Sequence, residues 1–199
     1  MKLLLATHNE GKAKELKEFL VDFGVEALSL NDLNINDDIE ETGATFTENA
    51  ILKANFFAKK TGLPTLADDS GIEIDALNGE PGVKSRRWKG YPMTDQELID
   101  YTLERLKNVP AEKRTCKFVT VLALVRPNKK VEFGFGSLAG IITEKQMIPI
   151  QNGYPFRSIF YVSRYKKMLG ELSPAEHAEA NHRHDALKQL KPFLELKIN

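Results

Sequence analysis

Leu3-Leu-Leu-Ala-Thr-His-Asn-Glu-Gly-Lys12 opens the chain with an apolar run, a polar break and the start of a helical pattern. The apolar run is short and is best interpreted as a buried strand. After the break, Leu16, Phe19 and Leu20 fall on one face of a helix that is expected to end near Leu20. A buried strand that leads directly into an amphipathic helix predicts an α/β fold.

Helical and strand patterns alternate along the rest of the chain until the strands begin to cluster. The predicted helices are 45–60, 95–107 and 174–190, and a polar, acidic loop covers 31–41. The predicted strands are 25–30, 65–67, 72–76, 117–125, 131–136, 138–143 and 159–162. Because the later strands follow one another as an antiparallel meander, the pattern favours a mixed sheet with flanking helices over a simple doubly wound sheet.

The composition is that of an ordinary globular chain, whose 199 residues fit one domain, 1–199. Lys plus Arg and Asp plus Glu both total 28, so the chain has no bulk attraction for nucleic acid or for an anionic membrane. The single cysteine, Cys116, cannot form an internal disulfide and fits a half-buried strand better than a nucleophile. With no apolar stretch long enough for a signal peptide or a membrane span, we expect a cytoplasmic protein.

The first segment that suggests chemistry is Thr7-His8-Asn9-Glu10-Gly11-Lys12, between the first strand and the first helix. A helix N-terminus presents free amides and the positive end of its dipole to phosphate, and Lys12 adds a formal charge. The segment lacks the glycine spacing of a P-loop. Taken alone, it fits an ordinary strand–helix connection better than a phosphate site.

The second segment is the helix predicted at 45–60, which begins with a capping box formed by Thr45 and Glu48. Asn49 and Lys53 are four residues apart and share a face that lies off the apolar stripe. Lys53 is therefore placed to reach a bound phosphate, although a solvated lysine is the commoner outcome.

The third segment, Leu66-Ala-Asp-Asp-Ser-Gly71, places two carboxylates where an apolar strand is predicted to end in a turn. Adjacent side chains diverge, so one of Asp68 and Asp69 is expected to face a cleft and the other to support the turn. Carboxylate oxygens suit Mg²⁺, which binds phosphates alongside one or two acids, and the loop with Glu40 and Glu41 offers a further ligand. An Asx-type turn without metal explains the same residues about as well.

Together these segments resemble the inosine/xanthosine triphosphate pyrophosphatase family, the noncanonical purine NTP pyrophosphatases. Leu5-Ala-Thr-His-Asn-Glu-Gly-Lys12 is similar to the family's LAT-x-N-x-GK opening. Three further motifs follow in the family's order: Glu41-Thr-Gly-Ala-Thr-Phe-Thr-Glu-Asn-Ala50, Leu66-Ala-Asp-Asp-Ser-Gly71 and Pro81-Gly-Val-Lys-Ser-Arg-Arg87. His182-Arg183 fits the family's Ser-His-Arg, so the resemblance runs from residue 2 to about residue 190.

The resemblance implies a fold and an activity. The fold is an elongated mixed α/β structure with two lobes around a central cleft, and the members are usually homodimers. The activity is the magnesium-dependent hydrolysis of ITP, dITP and XTP to the monophosphate and pyrophosphate, which removes deaminated purine nucleotides from the pool. Such an enzyme requires a positioned water, a base near neutral pH and neutralisation of the departing pyrophosphate.

The resemblance also implies roles for the matching residues. Thr7 to Lys12 line the triphosphate, and Lys53 lies nearby in the catalytic site. Asp69 is the general base and also lies at the metal. The metal shell that the resemblance implies consists of Asp69, Asp68, Glu40 and Glu41, and the sequence leaves open which of the two glutamates faces the ion.

The predicted base pocket departs from the family pattern. Where the family has Gly-Phe-Gly-Tyr-Asp-Pro, this chain has Gly153-Tyr-Pro-Phe-Arg-Ser158, so Arg157 stands in place of an aspartate and reverses a charge. Pro155 replaces a glycine, and His177 stands where the family has a lysine. The substrate contacts implied beyond the N-terminal segment are Ser70, Tyr154, Pro155, Phe156, Arg157, His177, His182 and Arg183. We hypothesise that the phosphate chemistry is intact and that base selection has shifted or loosened.

Three functions are therefore compared. The leading one is a hydrolase of deaminated purine triphosphates, and the second is a divergent paralogue that hydrolyses another triphosphate, which Arg157 favours. The third is a nucleotide-binding protein that does not hydrolyse, which the retained Asp69 and Lys53 argue against because a pure binder needs no base. A nucleic-acid-binding module is disfavoured by the zero net charge.

Overall fold

Over the described residues, 2–151 and 153–195, a computed structural model shows a seven-stranded mixed sheet with five helices. The strands are β1 (Lys2–Leu5), β2 (Glu26–Ser29), β3 (Thr65–Ile74), β4 (Thr115–Val125), β5 (Glu132–Ile142), β6 (Phe160–Val162) and β7 (Lys167–Met168). The helices are α1 (Glu10–Val21), α2 (Phe46–Thr61), α3 (Asp95–Arg105), α4 (Pro174–Ala180) and α5 (His182–Leu194). The strand order is β2-β1-β3-β4-β5-β6-β7. β1 is parallel to β2 and β3, whereas β6 is antiparallel to β5 and β7, which confirms the predicted mixed α/β sheet.

The chain divides into two compact units. The first unit extends through Ser70, resumes over Thr120–Gly136 and takes up the chain again from His182. The second unit consists of Gly71–Val119 and Ser137–Asn181. The division falls within β3, β4 and β5, so each of these strands contributes residues to both units.

In the first unit, β1, β3 and β4 pack their apolar side chains against α1 and α5. The core on this face of the sheet includes Leu3, Leu5, Leu16, Leu20, Leu66, Leu122, Leu124, Leu187 and Leu190. Side chains alternate along a strand, so Asp68, two residues after Leu66, lies on the same face. Asp69 points to the opposite face, where it meets Lys53 of α2.

The second unit has a separate apolar core, which includes Ile72, Ile74, Leu98, Ile99, Phe156 and Phe160. The segment Pro155–Ser158 forms a short 3₁₀ turn whose Pro155 and Phe156 are buried. Phe156 therefore anchors this segment in the core of its own unit.

The turn predicted at residues 68–71 is wrong, because the predicted strand 65–67 and residues 72–74 belong to one continuous strand, β3. The predicted strand 72–76 ends early, since Asp75–Leu77 form a short 3₁₀ helix. An Asx turn satisfies an aspartate from its own backbone. Here cationic side chains from other elements meet the two carboxylates instead, so the backbone stays extended. The expectation that one aspartate supports a turn is therefore also wrong.

Two later elements also differ from the prediction. β5 runs without a break where the sequence predicts two strands, 131–136 and 138–143. The helix predicted at 174–190 is two helices, because Asn181 adopts an extended conformation with φ −73° and ψ 113°. This break starts a new helix at His182 and places Arg183 in its first turn.

The predicted start of α2 is confirmed in detail. Thr45 Oγ1 accepts a hydrogen bond from the Glu48 amide at 3.2 Å, and the Glu48 carboxylate accepts one from the Thr45 amide at 3.1 Å. This capping box fixes the first turn of the helix that carries Lys53. No helix in the described part of the chain is both long and apolar enough to cross a membrane.

Candidate active site

The loop between β1 and α1 is held by its own side chains. Asn9 caps α1, and its Oδ1 accepts a hydrogen bond from the Lys12 amide at 3.0 Å. Thr7 Oγ1 accepts a hydrogen bond from the Asn9 amide at 3.2 Å. The Lys12 side chain extends to β3, where its Nζ lies 3.2 Å from Asp68 Oδ1. The predicted phosphate segment therefore delivers a cation to the acidic residues of β3.

Asp68 is the centre of a buried ion network. Its Oδ1 accepts a hydrogen bond from Lys12, and its Oδ2 accepts one from Arg183 Nε at 2.6 Å. Burial alone would favour the neutral acid, but Lys12 and Arg183 outweigh it and hold the pKa of Asp68 well below its usual range. Asp68 is therefore an ionised anchor and not a proton acceptor near neutral pH.

Arg183 joins α5 to both β3 and α1. Besides Asp68, its guanidinium donates to Ser70 Oγ at 2.9 Å and to Glu15 Oε2 at 3.1 Å. Asp68 and Ser70 are two residues apart and lie on the same face of β3. The Arg183 side chain therefore holds both sequence neighbours of Asp69.

Asp69 lies on the other face of β3 and is 5% exposed. Its Oδ1 is 3.6 Å from Lys53 Nζ, whereas its buried Oδ2 accepts no hydrogen bond from the described residues. Burial is the main cause that raises the pKa of Asp69; Lys53 opposes this rise and the Glu41 carboxylate adds to it. A carboxylate with a raised pKa and an available oxygen is suited to accept a proton from water.

Lys53 connects Asp69 to the acidic loop. Its Nζ forms an ion pair with Glu41 and donates to the Asp68 carbonyl oxygen at 2.7 Å. Burial opposes its charge, but Asp69 and Glu41 outweigh that effect and raise the pKa of Lys53. Glu40, the neighbouring acid, is exposed. Of the two predicted loop glutamates, Glu41 is thus the one that joins the cluster.

The carboxylates of Asp69 and Glu41 are ligands of the kind that a hard cation takes together with phosphate oxygens. Asp69 and Glu41 both approach Lys53, and Asp69 Oδ2 is unpartnered, whereas both oxygens of Asp68 accept from cations. Mg²⁺ commonly takes one or two protein carboxylates and completes its shell with water and phosphate oxygens. Within 2–151 and 153–195, no three His, Cys, Asp or Glu side chains gather closely enough to hold a metal. The predicted shell of four acids therefore stays a prediction.

Glu15 belongs to the cluster, although the sequence analysis does not single it out. It is 7% exposed and pairs with Arg183 at 3.1 Å. It lies three residues after Lys12, which places both on one face of α1. A carboxylate beside Leu16 on the buried face of an amphipathic helix is the pattern that would have indicated it.

Asn49, which shares a helix face with Lys53 as predicted, is buried in the same cluster. Its Oδ1 accepts a hydrogen bond from the Gly43 amide at 2.7 Å, and its side chain lies near enough to Asp69 to lower the pKa of that carboxyl, against the larger effect of burial. Asn49 therefore connects the acidic loop to the candidate base.

The rest of the predicted phosphate segment lies at the surface of the first unit. His8 Nε2 is 2.7 Å from the Asp37 carbonyl oxygen, and Gly11 lies in the first turn of α1. Thr7, His8 and Glu10 line a cavity of about 430 Å³. Lys12 does not line this cavity, because its side chain extends to Asp68 instead.

The second unit carries most of the residues predicted to hold the base, which are Tyr154, Pro155, Phe156, Arg157 and His177. The Arg157 guanidinium stacks on the Tyr154 ring at 3.8 Å and donates to Gln151 Oε1 at 3.2 Å. His177 is half-buried in the last turn of α4. Their contact with a base stays a prediction, as does that of His182, which is buried at the start of α5 in the first unit.

Comparison with known proteins agrees with the resemblance drawn from the motifs. A family model described as the Ham1 family matches residues 3–193. The chain is 42% identical to the dITP/XTP pyrophosphatase of Oceanobacillus iheyensis over 97% of this chain and 98% of that one. It is 45% identical to the dITP/XTP pyrophosphatase of Thermus thermophilus over 96% of this chain and 90% of the relative.

A solved structure extends the agreement to the fold. A HAM1 protein from Coxiella burnetii superposes with a TM-score of 0.84 at 39% identity and covers 98% of both chains. Sequence and fold thus match over nearly the whole length. The chain belongs to the Ham1 family.

Proposed function

We propose that the chain is a nucleoside triphosphate pyrophosphohydrolase that converts ITP, dITP and XTP to the monophosphate and pyrophosphate. The two relatives compared above are named dITP/XTP pyrophosphatases, and the chain covers at least 90% of each. The observation that carries the proposal is Asp69. It is a buried carboxylate with a raised pKa and an unpartnered oxygen, set beside the cation of Lys53.

Asp69 is the proposed general base. It takes a proton from water as the water oxygen bonds to the α-phosphorus. The bond from that phosphorus to the bridging oxygen breaks, and the bridging oxygen leaves with the pyrophosphate. Because its pKa is raised, Asp69 is a stronger proton acceptor than an ordinary aspartate, and Lys53 keeps its ionised form populated.

Lys12 and Lys53 are the proposed phosphate ligands. In the structure each ammonium group is paired with a carboxylate, Lys12 with Asp68 and Lys53 with Glu41. A triphosphate offers several charged acceptors to the same groups, and the first-turn amides of α1 add donors at the positive end of the helix dipole. The cations are thus preorganised at the places where phosphate oxygens are expected.

Charge balance supports a divalent cation, which we propose is Mg²⁺. Three basic side chains face four carboxylates in the cluster, which leaves one formal negative charge before a triphosphate adds several more. Asp69 and Glu41 are the residues that would hold the ion. When bound, it would supply neutralisation of the departing pyrophosphate.

Base recognition is proposed for the second-unit segment around Tyr154 and Arg157, together with His177. The stack of Arg157 on Tyr154 places a cation on an aromatic face that could otherwise meet a base. This stack is the observation that favours the alternative function, a paralogue with a different base preference. Arg183 donates to three side chains in the first unit, and its contact with a keto oxygen of the base stays a prediction.

A nucleotide panel tests the proposed function. Pyrophosphate release is measured for ITP, XTP and dITP and for the four common ribonucleotides and deoxyribonucleotides, with Mg²⁺ and after chelation. We expect metal-dependent release with the deaminated purines as the best substrates. Selective release from another nucleotide would indicate the divergent paralogue. Tight nucleotide binding without release would indicate a binding protein.

Three further properties are part of the proposal. We propose that the two units form one domain, because three strands contribute to both. We propose a homodimer, which light scattering on the purified full chain would test. A cytoplasmic location also stays a prediction, and fractionation of the expressing cell would test it.

A further inference from the structure

Two glycines of β5 lie against the backbone of α5. A Cβ atom built on Gly136 would stand 1.8 Å from the His182 carbonyl oxygen, and one on Gly134 would stand 2.0 Å from the Ala186 carbonyl oxygen. Real Cβ contacts are essentially never shorter than 3.0 Å, and both obstructing atoms belong to backbone. α5 therefore packs at a depth that only glycine at these two positions allows.

A side-chain amide locks the same contact between the two glycines. Gln189 of α5 accepts a hydrogen bond from the Phe135 amide at 3.1 Å and donates one to the Phe135 carbonyl oxygen at 2.6 Å. It thus bonds both backbone groups of Phe135, as a neighbouring strand would. The position of α5 along β5 is fixed as well as its depth.

The first turn of α5, which rests on Gly136, also carries Arg183. Arg183 reaches β3 and donates to Asp68 and Ser70, the two residues that flank Asp69. Its contacts of 2.6 and 2.9 Å leave little room for a displaced helix. A shift of the His182 carbonyl away from β5 would move the Arg183 backbone with it.

We infer that Gly136 and Gly134 are positioning residues, which set the depth at which α5 delivers Arg183 to the strand of the catalytic aspartate. Gly136 acts on the turn that contains Arg183, and Gly134 acts one turn later. The packing inference stands on the geometry alone, whereas its kinetic consequence rests on the proposed function.

Gly136→Ala is the primary test, and Gly140→Ala is its matched control. Gly140 lies on the same strand and is also crowded, but its nearest neighbours are the Phe160 ring at 2.3 Å and the Tyr161 carbonyl oxygen at 2.8 Å. Both variants therefore overpack β5, and only one presses on α5. Each is combined with Arg183→Lys, and urea unfolding is measured for the single and double variants.

The expected signature is non-additivity confined to Gly136. Arg183→Lys should lower the unfolding midpoint in the wild type and in Gly140→Ala to the same extent. In Gly136→Ala it should lower the midpoint much less, because the contact with Asp68 is already displaced. Full additivity at both glycines would overturn the inference, whatever the activity of the protein.

The same coupling between Gly136 and Arg183 should appear in kcat/KM. Gly136→Ala should reduce kcat/KM for pyrophosphate release about 100-fold, the scale expected of a displacement near 1 Å, and Arg183→Lys should add little to that loss. The kcat/KM of Gly140→Ala should remain close to that of the wild type.

If Gly136→Ala does not fold, Gln189→Ala removes the amide lock without adding volume. It should show a smaller loss of kcat/KM with the same non-additivity. Independent effects of Gln189→Ala and Arg183→Lys would overturn the inference, whereas an inactive wild type would overturn only the proposed function.

Discussion

The charged cluster of the first unit and the segment Pro155–Ser158 of the second unit are built in opposite ways. The cluster joins α1, α2, β3 and α5, and its pair of Glu15 and Arg183 spans 168 positions of sequence. In the segment, buried Phe156 belongs to the core of the second unit, but Arg157 makes a local contact with Gln151, only six positions away. The cluster is therefore specified by the whole first unit, whereas Arg157 can change together with a few neighbouring residues.

This difference predicts how each region responds to change. In the cluster a buried charge that loses its partner is left uncompensated, so substitutions there should abolish activity or destabilise the protein. Arg157 is the partly exposed residue of the segment, so its substitution should reorder substrates while the chemistry continues. The predictions below separate these two responses, beginning with the largest effect.

Asp69→Asn should have the largest effect, a loss of about 10²- to 10⁴-fold in kcat, because the amide cannot accept the proton of the attacking water. The fold should persist, since Asn preserves the shape of the side chain. Initial rates of pyrophosphate release and a thermal melt measure the two properties. Asp185→Asn serves as the control, because its ion pair with Lys188 is exposed at the surface. Wild-type turnover in Asp69→Asn would remove Asp69 as the base.

Glu41→Gln should raise the Mg²⁺ concentration needed for half-maximal rate, by about 10- to 100-fold, the range typical of groups that tune a metal site. Glu40→Gln is the matched neighbour and should change it little, because Glu40 is exposed while Glu41 pairs with Lys53. A Mg²⁺ titration of the rate of both variants decides which of the two glutamates holds the metal. A larger shift in Glu40→Gln would assign the metal to the other glutamate.

Arg157→Asp should change the ranking of bases by about tenfold, within the discrimination that a single pocket contact supplies. It should leave the Mg²⁺ requirement unchanged, because Arg157 lies outside the charged cluster. Ratios of kcat/KM for ITP, XTP and GTP measure the effect. If all substrates fall by the same factor, the segment does not select the base.

The smallest expected effect is alkylation of Cys116 in the folded protein, because this thiol is buried. Burial raises its pKa, with Asp75 adding to the rise, so little thiolate forms even at mildly alkaline pH. Iodoacetamide at pH 8 should modify the folded protein very slowly and the urea-unfolded protein quickly. Rapid modification of the folded chain would show that this part of β4 opens readily.

The regions predicted well from sequence are those whose pattern is local. Three such features depend on residues within about four positions of one another. They are the strand–helix opening, the capping box of Thr45 and Glu48, and the shared helix face of Asn49 and Lys53. Their geometry follows from helix and strand periods alone. The mixed sheet follows from the order of those elements.

The turn predicted around Asp68 and Asp69 shows where local reasoning ends. The two residues resemble a turn because short acidic side chains bond to their own backbone. The cations that keep them in a strand come from Lys12, Lys53 and Arg183, which are 56, 15 and 115 positions from Asp68. A local sequence pattern does not show which distant cationic side chains will contact these carboxylates in the fold.

The break at Asn181 has the same explanation. Residues 174–190 fit one helix by composition, and Asn181 is an ordinary residue in such a pattern. The second helix packs through His182 and Ala186 on Gly136 and Gly134, a contact that the pattern of residues 174–190 does not show. The glycines of β5 carry that information, and they lie almost fifty residues earlier in the chain.

The central claim is that water, activated by Asp69, attacks the α-phosphorus of a deaminated purine triphosphate. Hydrolysis of ITP in water labelled with heavy oxygen, followed by mass analysis of both products, tests it directly. The label should appear in the monophosphate, with equal amounts of pyrophosphate released, and Asp69→Asn should slow the reaction by the factor given above. Label in the pyrophosphate, or release of orthophosphate as the first product, would contradict the account.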